Sequence, residues 1–589
     1  MTGHILLLGF LALLPSANTQ TELPSLELPW GTWNATVLPE DSEIYHFKNV
    51  RFGAKPERFS APSFPSGSES TLQYLTEGIS CIQIQTSKLK MPPGGRRPHR
   101  KTKSTESPNE IQLEDCLFLD IYAPKAAFEP GAKPMPVVVW FYGGAFAFGS
   151  KNPTPQTAPL YSGRALLRAT SYKVIFIAGN YRIGAFGWLA GDYMQSIGQP
   201  NAGLYDQALL LKWVQKYVAR VGGDKEHVSA WGESAGAGSI LHHLIREDGN
   251  RDPLFKTFAV QSPAFEWAWD NSEDGTMDTM YRNFSRLAGC GFGYNISCLR
   301  AADQTMLTKA NNDLFAIVRQ TGLFPVGPAV DGEWIKSIPT VTFRQGKFWK
   351  GIKSALISHC ANEPYSFTPG SVTDQSSFDN FLAIFLPGPG LAPQRDAIKR
   401  RYRCGNDFKA CIAVIIRDAS FTCNTRDLFN SYPKKSYMME YAFPTDSYAY
   451  HATDLVPLFT NDFRETRDLL HNQGVGYGWA VAYAILLGKE VRSSYQNYFA
   501  SFALAGDPST LEPVPPVPWE VANGHQDELS GVMKVFATWK FWKPAFGHIE
   551  DNQNARSTCS FWTCIANEIV SAQNVSTGEG AFLRKGSLC

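Results

Sequence analysis

The sequence predicts an α/β fold with a large, mostly parallel central sheet and helices on both of its faces. Residues 137–141 and 174–178 are short apolar runs rich in β-branched side chains, and such runs are typical of strands buried on both faces. Residues 206–221 then carry apolar side chains at helical spacing and end at a Gly-Gly pair, a common helix stop. Alternating strand and helix signals of this kind indicate a sheet covered by helices.

The next segments continue the same alternation. Residues 228–231 predict a strand and 237–245 a helix, and further strands are expected near 257–261, 354–358 and 436–443. This alternation of strand, helix and strand indicates an α/β sheet with helices on both faces.

The composition is that of a folded protein with a large core. Of the 589 residues, 44% are apolar and 13% aromatic, which excludes a disordered or fibrous chain. The 55 basic and 54 acidic side chains leave a formal charge of +1. We therefore expect no general attraction to nucleic acid. Apolar runs such as 479–487 are too short to cross a bilayer, so stable membrane insertion is not expected.

The N-terminus predicts secretion. Residues 5–14 form a ten-residue apolar run that is followed by small residues, which is typical of a signal peptide ending near residue 19. Residues 20–589 are then expected to form a single catalytic domain. Four acceptor triplets for N-glycosylation agree with this route; they begin at Asn34, Asn283, Asn295 and Asn574.

The cysteines also favour an oxidising compartment. There are eleven, and no two are spaced as Cys-x-x-Cys, which argues against a zinc ribbon or a thioredoxin-like site. Several disulfides are expected, with at least one thiol left over because eleven is odd.

Residues 232–236, Gly-Glu-Ser-Ala-Gly, match the pattern G-x-S-x-G. They lie between a predicted strand and a predicted helix, where a nucleophile elbow must lie. Ser234 is therefore the candidate nucleophile, and the N–H of Ala235 is a candidate donor to an oxyanion. A second donor is expected from the Gly-Gly loop at 142–146, which directly follows the strand at 137–141.

The base and the acid of such a site follow the serine along the chain. His451 lies on a loop after the strand at 436–443, which suits a general base. Glu363 lies just past the strand at 354–358, and Asp331 in an Asp-Gly pair is a rival for the acid. These residues alone leave the choice between Glu363 and Asp331 open. The histidines considered are His359, His451, His471, His525 and His548.

Taken together, these blocks resemble the type-B carboxylesterase, cholinesterase and fungal lipase family of α/β hydrolases. The resemblance runs in order along nearly the whole chain, and residues 358–363 are similar to a fungal secreted branch. The matching blocks are 47–52, 114–117, 180–184, 201–207, 222–224, 232–237 and 506–508.

The resemblance implies the α/β-hydrolase fold and a set of site residues. It implies Ser234 as nucleophile, Glu363 as acid and His451 as base. It also implies an oxyanion hole formed by the N–H groups of Gly144, Ala145 and Ala235. The implied disulfides are Cys81–Cys116, Cys290–Cys298 and Cys423–Cys559, to which we add a pairing of Cys404 with Cys411.

The sequence departs from the family pattern at three places. Ala145 stands where many members have glycine, and its methyl group would crowd bulky acyl chains. Pro364 follows the acid in place of glycine. The loop between Cys81 and Cys116, a lid in lipase relatives, carries a basic Pro/Gly run at 91–103 in place of an apolar helix, which argues against true lipase action.

The function expected from the sequence is that of a secreted serine carboxylesterase that cleaves small-molecule esters through an acyl-enzyme on Ser234. No metal and no organic cofactor is expected. The alternatives are an acyltransferase with the same triad and a non-catalytic binding module. Glu233 is interpreted as a buried neighbour that tunes the site, and the glycines at 289–293 lack the setting of a nucleotide site.

Overall fold

One long sheet organises the chain. The computed structural model describes residues 23–67, 77–85, 110–152, 160–318, 323–511, 517–538, 543–576 and 589. Within these residues eleven strands form one sheet in the order β15-β14-β13-β12-β11-β10-β8-β9-β7-β4-β3, and two pairs, β1–β2 and β5–β6, form small sheets of their own. The strands are β1 (Ser25–Leu28), β2 (Gly31–Asn34), β3 (Thr36–Leu38), β4 (Asp41–Arg51), β5 (Gly78–Cys81), β6 (Glu110–Leu113), β7 (Phe118–Pro124), β8 (Met135–Phe141), β9 (Ile175–Gly179), β10 (Gly223–Glu233), β11 (Thr257–Gln261), β12 (Ser354–Cys360), β13 (Ser436–Tyr441), β14 (Leu529–Thr538) and β15 (Lys543–Asp551).

Helices cover both faces of this sheet and confirm the expected fold class. The longest, Tyr477–Ala505, changes direction at Gly488, whose φ is 52°. The helices are α1 (Arg164–Ala169), α2 (Ala185–Trp188), α3 (Asp192–Ile197), α4 (Ala202–Tyr217), α5 (Ala235–Leu244), α6 (Thr276–Leu287), α7 (Ile296–Ala301), α8 (Gln304–Leu314), α9 (Pro339–Arg344), α10 (Gln375–Phe385), α11 (Ala392–Tyr402), α12 (Phe408–Arg417), α13 (Cys423–Ser431), α14 (Leu455–Phe459), α15 (Phe463–Asn472), α16 (Tyr477–Ala505) and α17 (Arg556–Ser576).

The centre of the sheet is parallel and its two ends are antiparallel. From β9 to β14 every neighbouring pair runs parallel. The edges β3, β4 and β7 on one side and β15 on the other pair antiparallel. The parallel strands end at one edge of the sheet, where Glu233 of β10 pairs with Gln261 of β11, and Gln261 pairs with Ser358 of β12.

The buried apolar side chains form two main clusters. The larger surrounds the central sheet and includes the apolar runs of β8 and β9. The second lies among the helices α10, α11, α12 and α17. Trp562 of α17 is almost completely buried in this second cluster. A separate helical layer of this kind provides a wall for a site above the sheet.

Five disulfides join ten of the eleven cysteines, and Cys360 is free and buried. They include the three pairs that the resemblance implies and the pair Cys404–Cys411. The fifth joins Cys564 to Cys589, a pairing that the sequence left undetermined. The pairs are Cys81–Cys116, Cys290–Cys298, Cys404–Cys411, Cys423–Cys559 and Cys564–Cys589.

Some expectations concern residues outside those described. The signal peptide at 1–19 lies outside them, and so does the basic run at 91–103. Of the glycosylation acceptors, Asn34 and Asn295 are exposed and Asn283 is half-buried. Asn574 lies near the end of α17, where the side chains are outside the described ones. In the described residues, no helix is both long and apolar enough to cross a membrane.

Candidate active site

Ser234 stands on a strained turn between β10 and α5. Its φ and ψ are 55° and −125°, a conformation that side chains rarely adopt and that is characteristic of a nucleophile elbow. Hydrogen bonds fix the turn to β11, since the N–H of Ser234 donates to the carbonyl of Gln261 (2.9 Å) and its carbonyl accepts from the N–H of Ala264 (3.1 Å). The turn therefore holds Ser234 at the carboxyl edge of the sheet.

The glycines of the G-x-S-x-G pattern are required by close packing. A Cβ on Gly236 would lie 2.0 Å from the carbonyl oxygen of Phe141 on β8. A Cβ on Gly232 would lie 2.7 Å from the carbonyl carbon of Gly236. Strand and helix can approach this closely only without side chains at these positions.

The loop after β8 lies beside this turn. Gly144 has a φ of 109°, and a Cβ there would lie 2.0 Å from the carbonyl oxygen of Phe148. Ala145 also has a positive φ, of 53°. Gly143 approaches the elbow so closely that a Cβ would lie 2.8 Å from the Cβ of Ser234. Ala235 is the first residue of α5, and the first N–H groups of a helix have no partner within it.

Glu363 and His451 form a buried pair. The Nδ1 of His451 lies 2.6 Å from Oε2 of Glu363, and the two side chains are 8% and 0% exposed. The other carboxylate oxygen of Glu363 accepts from the N–H of Cys360 (2.6 Å). The loops after β12 and β13 carry the two residues, and they meet where the N–H of Asn362 donates to the carbonyl of Ala449 (3.0 Å).

A second carboxylate contacts the same imidazole. Oε1 of Glu233 lies 3.1 Å from Nε2 of His451. Burial disfavours the imidazolium, but the charges of Glu233 and Glu363 outweigh it and raise the pKa of His451 to about 9. Burial raises the pKa of Glu233 to about 8.

The pKa of Glu363 shifts in the opposite direction. Burial alone would raise its pKa, but the charge of His451 and the hydrogen bonds from His451, Ser262 and Cys360 lower it. Glu363 is therefore ionised at neutral pH and fixes the orientation of the imidazole.

A cavity of about 1360 Å³, including its open mouth, reaches Ser234. Phe367 and Phe421 line it, and both rings pack edge-on against the imidazole of His451 at 5.1 and 5.0 Å. His451 therefore packs against two residues that line the same cavity as Ser234. The other lining residues are mostly apolar: Ala145, Phe146, Ala235, Ala264, Phe265, Glu266, Trp267, Ala268, Trp269, Asp270, Thr276, Met277, Met280, Leu323, Phe324, Pro325, Val326, Gly327, Ile384, Phe385, Pro387, Ile416 and Ser420.

Asp331, the rival for the acid, is engaged in a turn elsewhere. Its Oδ1 accepts from the N–H of Ile335 (2.9 Å) and its Oδ2 from the side-chain amide of Asn201 (2.7 Å). The carboxylate on Nδ1 of His451 is that of Glu363. The glycines at 289–293 follow α6, in the loop closed by the Cys290–Cys298 disulfide.

Among the described residues, one buried group has metal-ligand chemistry. His359, Glu440 and Asp551 offer atoms within 4.8 Å of one another. These atoms are already engaged, because Nε2 of His359 lies 2.8 Å from Asp551 and Glu440 lies 2.6 Å from Nζ of Lys534. The group is thus a set of ion pairs.

Two features of the site were not predicted from the sequence. Neither the edge-on packing of Phe367 and Phe421 on His451 nor the carboxyl group of Glu266 in the cavity follows from a motif. The proximity of Glu233 to Nε2 could have been inferred, because the residue before the serine must lie beside the site. Its interpretation as a buried neighbour agrees with its exposure of 3%.

The fold and the strained serine define the chain as an α/β hydrolase. The solved structure of EstA from Aspergillus niger matches with a TM-score of 0.69 and 22% identity, over 95% of this chain and 99% of that one. A thermophilic PNB esterase matches with a TM-score of 0.69 and 21% identity, over 91% and 99%. These likenesses show the fold.

Sequence comparisons identify the family. The sequence model of the carboxylesterase family matches residues 24–538. A secreted lipase of Arthroderma benhamiae is 32% identical over 551 residues, which is 92% of either chain. Lipase 2 of Geotrichum candidum is 33% identical over 80% of this chain and 85% of that one, and the carboxylesterase patB of Aspergillus clavatus is 29% identical over 77% and 86%. The chain belongs to the carboxylesterase family, which confirms the resemblance, and it is a carboxylic ester hydrolase.

Proposed function

We propose that this protein is a secreted serine carboxylesterase in which Ser234, His451 and Glu363 act as a triad. The contact between Nδ1 of His451 and Glu363, at 2.6 Å and shielded from solvent, carries the proposal. It keeps a proton on Nδ1 and leaves Nε2 to accept one. The strained turn at Ser234 and the cavity in front of it supply the nucleophile and the space for an ester.

The proposed reaction has two halves. The oxygen of Ser234 bonds to the ester carbonyl carbon while its proton passes to Nε2 of His451, and the alcohol leaves with that proton. Water then attacks the acyl-enzyme and gives a proton to His451, so that the acid departs and Ser234 recovers its hydrogen. The N–H groups of Gly144, Ala145 and Ala235 are proposed to stabilise the oxyanion in both halves.

Two observations support secretion. Five disulfides are stable in an oxidising compartment and uncommon in the cytosol. The relative from Arthroderma benhamiae, similar over 92% of the chain, is named a secreted lipase. Expression in a eukaryotic host with N-terminal sequencing of the exported protein tests the proposal, and retention inside the cell would contradict it.

A panel of p-nitrophenyl esters of increasing chain length tests the catalytic role. Ser234→Ala should lower turnover by about 10⁶-fold, whereas Ser196→Ala, at an exposed serine that does not line the cavity, should retain full activity. Circular dichroism checks that both variants fold. A folded Ser234→Ala enzyme with near-normal turnover would refute the assignment.

A further inference from the structure

Glu266 places a carboxyl group on the wall of the mainly apolar cavity that reaches Ser234. Its neighbours on the same segment, Phe265 and Trp267, also line this space. Glu266 keeps part of its surface exposed. A carboxyl group among aromatic side chains has lost most of its hydration, which costs free energy unless a partner replaces the water.

The protein supplies few hydrogen bonds to the carboxyl group of Glu266 in place of this water. Among the described residues, Glu266 receives one hydrogen bond, from the N–H of Phe324 to Oε1 (3.2 Å), and forms no salt bridge. Burial therefore raises the pKa of Glu266 to about 8. At neutral pH the group is mostly protonated, so it can both donate and accept a hydrogen bond.

The segment that carries Glu266 is held firmly beside the nucleophile. The N–H of Ala264 donates to the carbonyl of Ser234. Phe265 packs edge-on against His242 at 4.6 Å, and Trp267 packs edge-on against Trp562 of the second cluster at 5.9 Å. Two residues of chain span at most about 7 Å. One substrate can thus place its ester carbonyl at Ser234 and a polar group a few carbons away at Glu266.

We propose that Glu266 is a specificity-determining residue that selects esters carrying a neutral hydroxyl group a short carbon chain away from the ester carbonyl. The proposal rests on the proposed function, because it assigns the substrate class of that same site. A hydroxyl group pairs with a carboxyl group that both donates and accepts. A purely aliphatic ester would cover this carboxyl and leave it with the N–H of Phe324 as its one partner, which lowers the affinity of that ester.

Matched substrate pairs test the proposal on both sides of the ester. The first pair is p-nitrophenyl octanoate and p-nitrophenyl 8-hydroxyoctanoate, and the second is hexyl butyrate and 6-hydroxyhexyl butyrate. In the wild type, kcat/KM should favour the hydroxylated member of at least one pair by about tenfold, the value of one good hydrogen bond. The pair that responds shows which side of the ester occupies this cavity.

Three variants define the role of the carboxyl group. Glu266→Leu should abolish the preference and raise kcat/KM for the aliphatic ester, because its chain then meets an apolar side chain. Glu266→Gln keeps a donor and an acceptor without charge, so most of the preference should remain. Glu273→Leu, at an exposed glutamate on the same connection, should retain the wild-type preference. The thermal midpoint of Glu266→Leu should equal or exceed that of the wild type, because the variant replaces a half-buried carboxyl group that has one hydrogen-bond partner with an apolar side chain.

Several results would overturn the proposal. Equal cleavage of both members in both pairs by the wild type would do so, and so would a preference that persists in Glu266→Leu. A preference for a trimethylammonium ester that is lost in Glu266→Gln would assign an ionised carboxylate and exclude the hydroxyl site. A large fall in the thermal midpoint of Glu266→Leu would indicate a structural role. Failure to cleave any ester would refute the proposed function itself.

Discussion

At the scale of single residues, the two carboxylates around His451 have different effects. Glu363 contacts Nδ1 and orients the ring, whereas Glu233 lies 3.1 Å from Nε2, the atom proposed to receive the proton of Ser234. A negative charge there stabilises the imidazolium and so raises the pH at which the base becomes available. We therefore expect Glu233 to affect the pH dependence of the proposed base.

Glu233→Gln should shift the acid limb of the kcat/KM profile to lower pH. The base must be neutral, so in the wild type kcat/KM should rise with pH up to about 9, where the pKa of His451 lies. Loss of the Glu233 charge removes one cause of the raised pKa. Profiles from pH 5 to 10 measure the shift, with Glu333→Gln at an exposed position as control. A limb that does not move would contradict the role of Glu233.

Ala145→Gly should widen the range of acyl groups. Ala145 lines the cavity and its φ is 53°, a value that glycine adopts without strain. Removing the methyl group should raise kcat/KM for p-nitrophenyl pivalate by about tenfold, the range for one methyl group in a pocket. The value for p-nitrophenyl acetate should stay nearly constant. An equal change for both esters would exclude a steric effect on the acyl group.

At the scale of elements, the carboxyl end of β12 joins Glu363, the proposed acid, to the rest of the sheet. Cys360 holds Glu363 through its N–H, and the preceding residue, His359, pairs with Asp551 at the end of β15 (2.8 Å, both fully buried). Burial opposes the charge on His359, but Asp551 outweighs it and raises the pKa of His359 to about 9. This ion pair joins the strand that precedes Glu363 to the antiparallel edge of the sheet.

Asp551→Asn should destabilise the protein most near pH 6. The raised pKa of His359 means that its stabilising effect is complete below about pH 6.5 and is lost as pH rises through about 9. The pKa of Asp551 is lowered, so its contribution is lost only in acid. Breaking this buried pair should cost ~3–5 kcal/mol.

Urea unfolding at pH 6 and pH 9.5 measures this difference. The difference in the free energy of unfolding between wild type and Asp551→Asn should be smaller at pH 9.5 than at pH 6. Asp396→Asn, which removes an exposed partner of Lys399, should cost under about 1 kcal/mol at either pH. A gap that is the same at both pH values would show that the two groups do not form a charged pair.

The parallel centre of the sheet was predictable and its edges were not. Residues 257–261 form β11 as expected, and β8, β9, β10 and α5 begin or end within a few residues of the predicted bounds. Each of these strands contains a buried, mainly apolar run, although the first half of β10 is polar and partly exposed. The long strand β4, second from the edge of the sheet, mixes polar and apolar residues and shifts register between Phe47 and Val50, so no continuous apolar run marked it.

The candidate site was also predictable only in part. Ser234 was predictable because glycines must flank a strained turn, whereas spacing alone left Glu363 and Asp331 open. Which carboxylate meets His451 depends on how the loops after β12 and β13 pack, a tertiary contact. Glu266 carried no local signal, because its meaning depends on the cavity that distant segments enclose.

At the scale of the whole molecule, a disulfide joins two helices that are far apart in the sequence and contribute to the second apolar cluster. Cys423, at the start of α13, bonds to Cys559 in α17 across 136 residues of sequence. Cys290 and Cys298 close a loop with a separation of 8 residues. Closing the longer loop removes more freedom from the unfolded chain.

Replacing Cys423 and Cys559 by serine should therefore lower the free energy of unfolding more than replacing Cys290 and Cys298 does. Loop-closure entropy gives about 5 kcal/mol for the first pair and about 2.5 kcal/mol for the second. Guanidinium unfolding monitored by tryptophan fluorescence compares the two double variants. Equal losses would show that strain or residual structure outweighs chain entropy.

Cys360 gives the molecule an internal reporter. Its thiol is fully buried, and burial raises its pKa well above the ordinary value, so the folded enzyme should resist aromatic disulfide reagents. The same residue holds Glu363 through its N–H. A chromogenic thiol reagent would therefore react with one sulfur per chain, and only when the region around Cys360 and Glu363 opens. The rate of colour formation would measure how often this opening occurs.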